Sequence, residues 1–455
     1  MMKNIKICVL GASRLWSSGL ATDLMVVFQA PLDVCFVDLD YQSAALCAEW
    51  GEAASRKLGR KGDRFRPFTS RAKALPGADA VIITLTTGGL DAMEQDIKIP
   101  EKYGIFAPVG ASSGPAGWAC ALRNIPVFRE FADDFQRFCP SAFITNYTNP
   151  MAALTATLQL CCANPAVGLC HAYFETKDFI QKIFELPDWS SISLSLAGVN
   201  HFTWLIDFKI GRKNGYALLK QKIGTGSMRD LLFGEMKDDA GHTSGTELCT
   251  ELYDTFGYLP YPADRHTSEF LSFTLSGHPE RYRLALKQHV FDTIRYHNIK
   301  RTSVEHRRRS RPKLDERMRA MIQDKVEMPK KSRETGAEMI HAYLYNRPFT
   351  DAVNALNKGQ IPELPLNACV ETLGTVDGFG VRPLLAQGMA PHLAELLRPP
   401  ALVQQWTVDG VLKNDPELLL QALYRDPQCA QLKPHEIRQM AAELQEANKR
   451  FVPKK

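Results

Sequence analysis

The sequence contains no uninterrupted apolar run of about 18 residues, the length that a membrane-spanning helix needs. It also lacks a CxxC pair, and its 11 cysteines follow no regular spacing. These absences exclude a transmembrane helix and a disulfide-rich secreted scaffold. The opening residues, MMKNIKICVLGASR, are typical of a strand and turn rather than of a signal peptide. We therefore expect a cytoplasmic protein with free thiols and no membrane partner.

A large excess of charge of one sign is also missing. The chain has 55 basic and 50 acidic residues, which leaves a net charge of +5. Part of this excess lies in the tract EHRRRSRPKLDERMRA, but no nucleic-acid recognition motif accompanies it, so we expect no nucleic-acid partner. The 455 residues, 45% of them hydrophobic, are enough for two domains with buried cores.

The first third of the chain alternates apolar strands with helical stretches. Because parallel strands place their carboxyl ends at one edge of a sheet, residues that follow these strands should meet in a ligand crevice. We predict an α/β fold of the lactate and malate dehydrogenase type, with a Rossmann-like parallel sheet in residues 1–170 and an α+β substrate domain in residues 171–455. The first five strands are expected within 5–10, 33–40, 78–86, 141–155 and 165–171.

An incomplete dinucleotide fingerprint follows the first strand. Gly11 provides the tight turn, but Ser13 and Trp16 stand where the second and third glycines are usual. Asp38, 27 positions beyond Gly11, ends the second strand and could accept hydrogen bonds from a ribose, which would favour NAD over NADP; alternatively it caps a turn. The predicted cofactor site is completed by Thr86 and Asn146, at the ends of later strands.

The fifth strand ends in a thiol beside an imidazole, Cys170 and His171. Such a pair could be a redox couple, a nucleophile with its base, part of a metal site, or filling of the core. About thirty residues later, Asn200, His201 and Trp204 form an Asn-His-x-x-Trp motif. A thiolate and an imidazole together suit a borderline divalent metal.

Taken in order, these segments resemble the NAD- and manganese-dependent glycosidases of glycoside hydrolase family 4. The resemblance covers nearly the whole chain, and its most specific part is the Cys-His pair combined with Asn-His-x-x-Trp. The matching segments are the initial strand with GAS, TTGGLDAMEQDIKIPEKYGI, GPAGWACALRNIPV, TNPMAALT, GLCHAYF, GVNHFTW, GYLPYPADRHTSEF, VETLGTVDGFGVRPL and LYRDP.

The resemblance implies NAD and Mn²⁺, or another divalent transition metal, as cofactors, with Cys170 and His201 as the metal ligands. In this family the sugar is oxidised at C3, loses a proton from C2, eliminates the aglycone, adds water and is reduced again, without the usual carboxylate pair. Alternatively, the two residues do not bind a metal: Cys170 is a structural thiol and His201 is a core histidine whose ring is hydrogen-bonded within the protein. A Cys–His nucleophile is disfavoured because no oxyanion-hole signature is nearby.

The resemblance also suggests roles for residues around these ligands. The base is expected in the segment 257–270, with Asp264 as first choice and Tyr258 as second. His171 would assist the leaving group as an acid. The predicted substrate contacts are Asn149, Arg265 and His266, although His266 could instead bind the metal or have no role.

The sugar is less constrained by the sequence. No arginine occurs from 72 to 122, where relatives that act on 6-phosphorylated sugars carry one, so we expect an unphosphorylated hexose or, because of Arg265, a hexuronic acid glycoside with α linkage. The alternative functions are those of a 6-phospho-glycosidase, a simple NAD-dependent dehydrogenase, and a nucleotide-sensing or scaffold protein.

We expect a homodimer or homotetramer. The charged tract 300–335 is interpreted as a lid, a subunit contact or a surface excursion.

Overall fold

Six short segments form the parallel strands of the amino-terminal half, and all of them except the third are mostly buried apolar runs. The computed structural model describes residues 4–233, 245–274, 284–285, 292–294, 299–301, 303–327 and 330–451. The strands are β1 (Ile5–Leu10), β2 (Leu32–Val37), β3 (Arg64–Phe68), β4 (Ala80–Ile83), β5 (Phe143–Asn146), β6 (Ala166–Gly168), β7 (Ile192–Val199), β8 (Phe202–Ile210), β9 (Lys213–Asn214), β10 (Leu284–Ala285), β11 (Asp292–Ile294), β12 (Lys300–Arg301), β13 (Phe349–Leu356), β14 (Cys369–Asp377) and β15 (Gly380–Pro383).

Helices cover both faces of the main sheet. They are α1 (Leu15–Val27), α2 (Tyr41–Lys57), α3 (Arg71–Ala74), α4 (Gly89–Glu101), α5 (Gly114–Phe138), α6 (Met151–Cys161), α7 (Ala172–Phe184), α8 (Gly215–Ile223), α9 (Met228–Phe233), α10 (Glu247–Phe256), α11 (Asp264–Thr267), α12 (Val304–Ile322), α13 (Gly336–Tyr345), α14 (Pro391–Lys413), α15 (Pro416–Arg425) and α16 (Pro434–Asn448). None of the helices in the described ranges has the length and apolarity that crossing a bilayer requires.

The strand order β3-β2-β1-β4-β5-β6 confirms the predicted Rossmann-like sheet. Alternate residues of β1 enter cores on opposite faces: Ile7 and Val9 pack with α1 and α2, whereas Cys8 and Leu10 pack with α5 and α6. The sheet then continues through β13, β14, β7, β8 and β9, which are antiparallel. A parallel half of the sheet is thus joined to an antiparallel half, and the division of the chain at residue 170 stays a prediction.

One strand was absent from the sequence-based prediction. β3 lies at the edge of the sheet beside β2, so the segment 78–86, expected as the third strand, contains the fourth. Only Phe65 of β3 is buried, and Pro67 is tolerated because the strand has a single neighbour. An exposed edge strand with two arginines lacks the apolar run that identified the others.

The basic tract forms a helix that packs against the nucleotide-binding half. α12 contacts α2 and α4, and Arg308 forms ion pairs with Asp91 and Glu94 at 2.7 and 2.8 Å. Arg14, in the turn after β1, pairs with Asp315 of the same helix. α12 therefore lies beside the carboxyl edge of the parallel strands, and residues 302, 328 and 329 of the tract lie outside the described residues.

Candidate active site

The turn after β1 is shaped by Gly11. Its φ is +98°, and a Cβ atom there would lie 2.2 Å from the carbonyl oxygen of Thr84, so only glycine fits. The Ser13 hydroxyl is 3.0 Å from the Thr84 hydroxyl, and α1 begins two residues after Ser13. A tight, close-packed turn leading into a helix amino terminus has the form that accommodates a pyrophosphate.

Asp38 follows β2 and is bound to this turn. One of its carboxylate oxygens accepts a hydrogen bond from the backbone N–H of Ala12 at 2.8 Å, and the other accepts one from Asp40 at 2.9 Å. The carboxylate therefore fixes the turn after β1. Its binding to a ribose remains a prediction.

The other two predicted cofactor residues differ in exposure. Thr86 is exposed after β4. Asn146 is buried at the end of β5, where its amide oxygen accepts from Thr148 and its amide nitrogen donates to the Thr155 hydroxyl at 2.9 and 3.1 Å. Asn146 thus organises the loop that follows β5.

Cys170 follows β6 at the same edge and is half-buried. Burial raises the pKa of its thiol well above the ordinary value, and the charge of Glu371 raises it further. The side chain of Asn200 forms a hydrogen bond with this thiol, which links Cys170 to the turn that carries His201.

His201 occupies the two-residue turn between β7 and β8. Its φ of +66° is unusual for a residue with a side chain, and its ring is buried. Nδ1 lies 2.8 Å from the Ser112 hydroxyl. Burial lowers the pKa of His201 to about 3, and the charges of His171 and Arg265 act in the same direction. A neutral ring held through Nδ1 leaves Nε2 free to bind a metal.

Tyr261 and His266 surround His201. The His266 ring centroid is 4.1 Å from that of His201, and the Tyr261 centroid is 6.3 Å from it. The Tyr261 hydroxyl donates a hydrogen bond to Glu175 at the start of α7. Burial raises the pKa of Tyr261, with the charge of Cys170 as the next cause. Cys170, His201 and Tyr261 therefore share one group of side chains.

Around this group, several buried polar atoms have no hydrogen-bond partner among the described residues. They include Asn200 Oδ1, His266 Nδ1 and Arg265 Nε. Behind Cys170, one carboxylate oxygen of Glu371 accepts hydrogen bonds from the amides of Asn200 and Asn354 at 3.1 and 2.9 Å, and its other oxygen has no partner in the part of the chain that the structure describes. Burial raises the pKa of Glu371 to about 7.

Such atoms are rare in folded proteins, and they fit a site completed by a cation and a polar ligand. No group of three or more His, Cys, Asp or Glu side chains within the described ranges could hold a metal. A metal here would therefore have two protein ligands and open positions.

The two predicted bases lie elsewhere. Asp264 is buried and accepts hydrogen bonds from the backbone N–H groups of Leu248 and Cys249 at 2.9 and 3.1 Å, at the amino terminus of α10. Burial raises its pKa to about 7. Tyr258 packs against Tyr216 and His392, with centroid distances of 5.6 and 6.1 Å. The structure thus gives Asp264 a helix-capping contact and turns Tyr258 toward an aromatic cluster.

His171 lies between the two halves. Its Nε2 is 2.5 Å from Glu334 Oε1, and its ring stacks on Trp16 with a centroid distance of 5.2 Å. Burial opposes the charged ring, but the hydrogen bond and charge of Glu334 outweigh burial and raise the pKa of His171. Trp16, at the position of the third glycine, therefore connects the cofactor turn to the Cys-His pair.

Asn149 is half-buried near this edge, and its side-chain oxygen accepts a hydrogen bond from the backbone N–H of Met151 at 3.3 Å.

Sequence reasoning missed Ser112, Glu175, Tyr261, Asn354 and Glu371. Tyr261 lies in an extended segment, residues 259–261, that runs alongside β8: Tyr261 donates to the Thr203 carbonyl and Leu205 donates to the Leu259 carbonyl, both at 2.8 Å, a pairing between distant segments that only the structure shows. An extended segment alternates its side chains, which separates Tyr261 from its neighbours on the opposite face.

Family models match the chain over most of its length. The model described as family 4 glycosyl hydrolase matches residues 6–186, and the model of the family's C-terminal domain matches residues 196–429. The chain belongs to glycoside hydrolase family 4. The predicted family and its Rossmann-like fold are confirmed, and this family 4 chain is a glycosidase.

Several known proteins are similar to this chain over nearly its whole length. An α-galacturonidase of Bacillus subtilis is 30% identical over 437 residues, which are 94% of each chain. The crystal structure of the B. subtilis protein lplD has a TM-score of 0.82 and 26% identity, covering 97% of this chain and 99% of that one. A 6-phospho-α-glucosidase from gut microorganisms, crystallised with NAD and Mn²⁺, has a TM-score of 0.77 and 18% identity, with 99% and 100% coverage.

Proposed function

We propose that this family 4 glycosidase hydrolyses unphosphorylated α-galacturonides and uses NAD and a divalent metal such as Mn²⁺. The observation that carries the proposal is the grouping of Cys170, His201 and Tyr261 at the sheet edge where the Gly11 turn lies. The similarity to an α-galacturonidase supports the choice of sugar and linkage. NAD and Mn²⁺ in the crystals of a structural neighbour support the cofactors.

The cofactors have fitting residues at this edge. Gly11, Ser13, Asp38 and Thr86 would hold NAD, while Asn146 shapes the adjacent loop. Cys170 and His201 would hold the metal, with Ser112 orienting the imidazole. When bound, NAD accepts a hydride from C3 of the sugar and later returns it, and the metal polarises the oxygen on that carbon.

Tyr261 replaces Asp264 and Tyr258 as the proposed base. Its hydroxyl already donates to Glu175, so it can pass its own proton to that carboxylate while it takes the proton from C2. Asp264 is less suited because both of its oxygens accept backbone hydrogen bonds. Tyr258 is less suited because its ring packs against Tyr216 and His392.

His171 is the proposed acid for the leaving group. Glu334 favours its protonated form through the 2.5 Å contact, so a proton is available for the departing oxygen. Asn149, Arg265 and His266 are proposed to contact substrate hydroxyls or the group on C6. These contacts orient the sugar, which lowers the entropic part of the barrier.

A panel of 4-nitrophenyl glycosides tests the proposal. It includes α- and β-galacturonide, α-galactoside and 6-phospho-α-galactoside, each with NAD, Mn²⁺ and a reductant. We expect cleavage of the α-galacturonide and, in deuterated water, label at C2 of the released sugar. Steady accumulation of NADH without cleavage, or cleavage without C2 label, contradicts the proposed reaction.

Metal binding has its own test. Cys170→Ala should lose Mn²⁺ binding, measured by titration calorimetry, whereas Cys161→Ala, at a half-buried free thiol on α6, should retain it. Equal binding by both variants would remove Cys170 from the site.

Three further expectations depend on the same reading of the chain. The cytoplasm is the proposed compartment, since all 11 cysteines are free thiols and Cys170 must stay reduced. A homodimer or homotetramer is proposed, which analytical ultracentrifugation checks. The division into residues 1–170 and 171–455 is proposed as a functional one, with cofactor contacts in the first part and sugar contacts mainly in the second.

A further inference from the structure

Glu371 is a carboxylate in the interior of the main sheet. It lies on β14, between β13 and β7, and is 0% exposed. A carboxylate in such a place is costly unless hydrogen bonds compensate its burial. Two amide side chains provide them: one carboxylate oxygen accepts from Asn200 at 3.1 Å and from Asn354 at 2.9 Å. Asn200 and Asn354 are 2% and 1% exposed, so the three side chains form a group that lies wholly inside the protein.

The pairing of the strands extends this group across the sheet. Asn354 of β13 pairs with Gly168 of β6 on one side and with Glu371 on the other, and Glu371 pairs in turn with Gly198 of β7. Residues that pair across neighbouring strands turn their side chains to the same face of the sheet. A Cβ atom at Gly168 would lie 3.0 Å from the Cβ of Asn354, so the glycine leaves room for the amide. The row therefore connects the strands that lead to the two proposed metal ligands.

Each end of the row is hydrogen-bonded to a segment that carries one of these ligands. At one end, the amide of Asn354 also donates to the carbonyl of Gly168 at 3.4 Å, two residues before Cys170. At the other end, Asn200 immediately precedes His201 in the turn between β7 and β8. The φ of His201 is +66°, a conformation that persists only where the surroundings hold it. The buried carboxylate is the partner that both amides share.

We propose that Glu371 is a positioning residue that fixes the segment of Cys170 and the turn of His201 relative to each other. It acts through the amides of Asn200 and Asn354. The inference rests on the proposed function, because Cys170 and His201 are the proposed metal ligands. A site with two protein ligands depends on their separation, so a residue that sets this separation controls the affinity for the metal.

Variants of two adjacent residues on β14 test the inference by calorimetric titration of the NAD-loaded enzyme with Mn²⁺. Glu371→Ala should weaken Mn²⁺ binding about 10- to 100-fold, the usual effect of removing a residue that orients metal ligands. Glu371→Gln should stay within about 3-fold of the wild type, because its amide oxygen can accept both hydrogen bonds. Its N–H groups can donate to the amide oxygens of Asn200 and Asn354, which have no partner within the described ranges. Thr372→Val is the matched control: it is buried beside Glu371 with its side chain on the opposite face, and should bind Mn²⁺ normally.

Co²⁺ in place of Mn²⁺ adds a spectroscopic measure of the geometry. A thiolate bound to Co²⁺ gives a charge-transfer band, which we expect in the wild type, Glu371→Gln and Thr372→Val. In Glu371→Ala the band should be weaker and shifted. Urea denaturation establishes that each variant is folded. If Glu371→Ala does not fold, Asn200→Ala takes its place, because it cuts the same link at the other end and should show the same loss.

Labelling of Cys170 in the metal-free enzyme separates this inference from the proposed metal site. Iodoacetamide should label Cys170 several-fold faster in Glu371→Ala than in the wild type or Glu371→Gln, because the Asn200 amide that bonds the thiol is no longer held. Peptide mass spectrometry measures the rates. If Cys170→Ala binds Mn²⁺ like the wild type, the proposed metal site fails, and the labelling rates alone decide whether Glu371 positions this segment.

Two results overturn the inference. One is that Glu371→Ala and Thr372→Val have equal Mn²⁺ affinities and equal labelling rates. The other is a loss of Mn²⁺ binding in Glu371→Gln as large as that in Glu371→Ala, since the carboxylate would then act through its charge and not through the hydrogen bonds that its oxygen accepts.

Discussion

The Ser112 hydroxyl lies 2.8 Å from Nδ1 of His201, a contact between the loop before α5 and the turn between β7 and β8. This contact joins the two halves at the proposed metal ligand.

Removing a residue that orients a metal-binding imidazole commonly weakens metal binding about 10- to 100-fold. We expect Ser112→Ala to weaken Mn²⁺ binding by that factor, measured by calorimetry with the NAD-loaded enzyme. Ser113→Ala is the matched control, because its hydroxyl bonds to the Glu269 carbonyl at 2.8 Å, and it should bind Mn²⁺ normally. Equal affinities in the two variants would show that Ser112 does not position His201.

Exchange at C2 of the sugar separates the three candidate bases. Tyr261→Phe removes the hydroxyl that bonds to Glu175 and should slow deuterium exchange at C2 by about 100-fold or more. Tyr258→Phe should leave exchange nearly unchanged, because the ring packs against Tyr216 and His392. Exchange that survives Tyr261→Phe and is lost in Tyr258→Phe would reverse the assignment.

Asp264→Asn should act mainly on stability. The carboxylate accepts two backbone hydrogen bonds at the start of α10, and an amide can accept through one oxygen only. We expect the free energy of unfolding to fall by about 1–2 kcal/mol, as for the loss of a helix cap, measured by urea denaturation. C2 exchange in the folded variant should stay close to that of the wild type. Loss of exchange at unchanged stability would restore Asp264 as the base.

The strands of the cofactor half were predictable because Ile5–Leu10 and its neighbours are buried apolar runs. The edge strand Arg64–Phe68 was not, because exposure on one side removes that pattern. Cys170 and His201 were found from motifs with chemical content. Ser112, Glu175 and Glu371 were not, because they act through hydrogen bonds between segments 89, 86 and 171 positions apart. Such pairings depend on tertiary packing, and no local pattern in the sequence encodes them.

Gly11→Ala and Gly19→Ala are a matched pair at the start of the fold. At Gly11 the new methyl would lie 2.2 Å from the Thr84 oxygen with φ at +98°, so we expect lost NAD binding and a lower Tm. At Gly19, on α1, no heavy atom of the described residues lies within 4 Å of the new methyl. Gly19→Ala should therefore keep NAD binding and gain about 0.5–1 kcal/mol of stability from helix propensity. Fluorescence titration with NAD and thermal unfolding check both, and normal NAD binding by Gly11→Ala would remove the turn from the cofactor site.

Glu269 makes the stability of the enzyme depend on pH. Burial raises its pKa to about 7, partly offset by the N–H groups of Gly110 and Val109. Because the pKa in the folded state is raised, protonation of Glu269 contributes to the free energy of unfolding. This contribution is fully present below the pKa of an unfolded glutamate, near 4.3, and is lost as the pH rises through about 7.

Glu269→Gln stays neutral at every pH and can still accept both backbone hydrogen bonds through its amide oxygen. Relative to the wild type, this variant should therefore gain stability between pH 5 and pH 8, by up to about 3 kcal/mol. Glu49→Gln, at an exposed position on α2, should show the same pH dependence as the wild type. Urea denaturation at pH 5, 6.5 and 8 measures the differences, and a stability difference between Glu269→Gln and the wild type that is constant over this range would mean that the carboxyl of Glu269 does not titrate there.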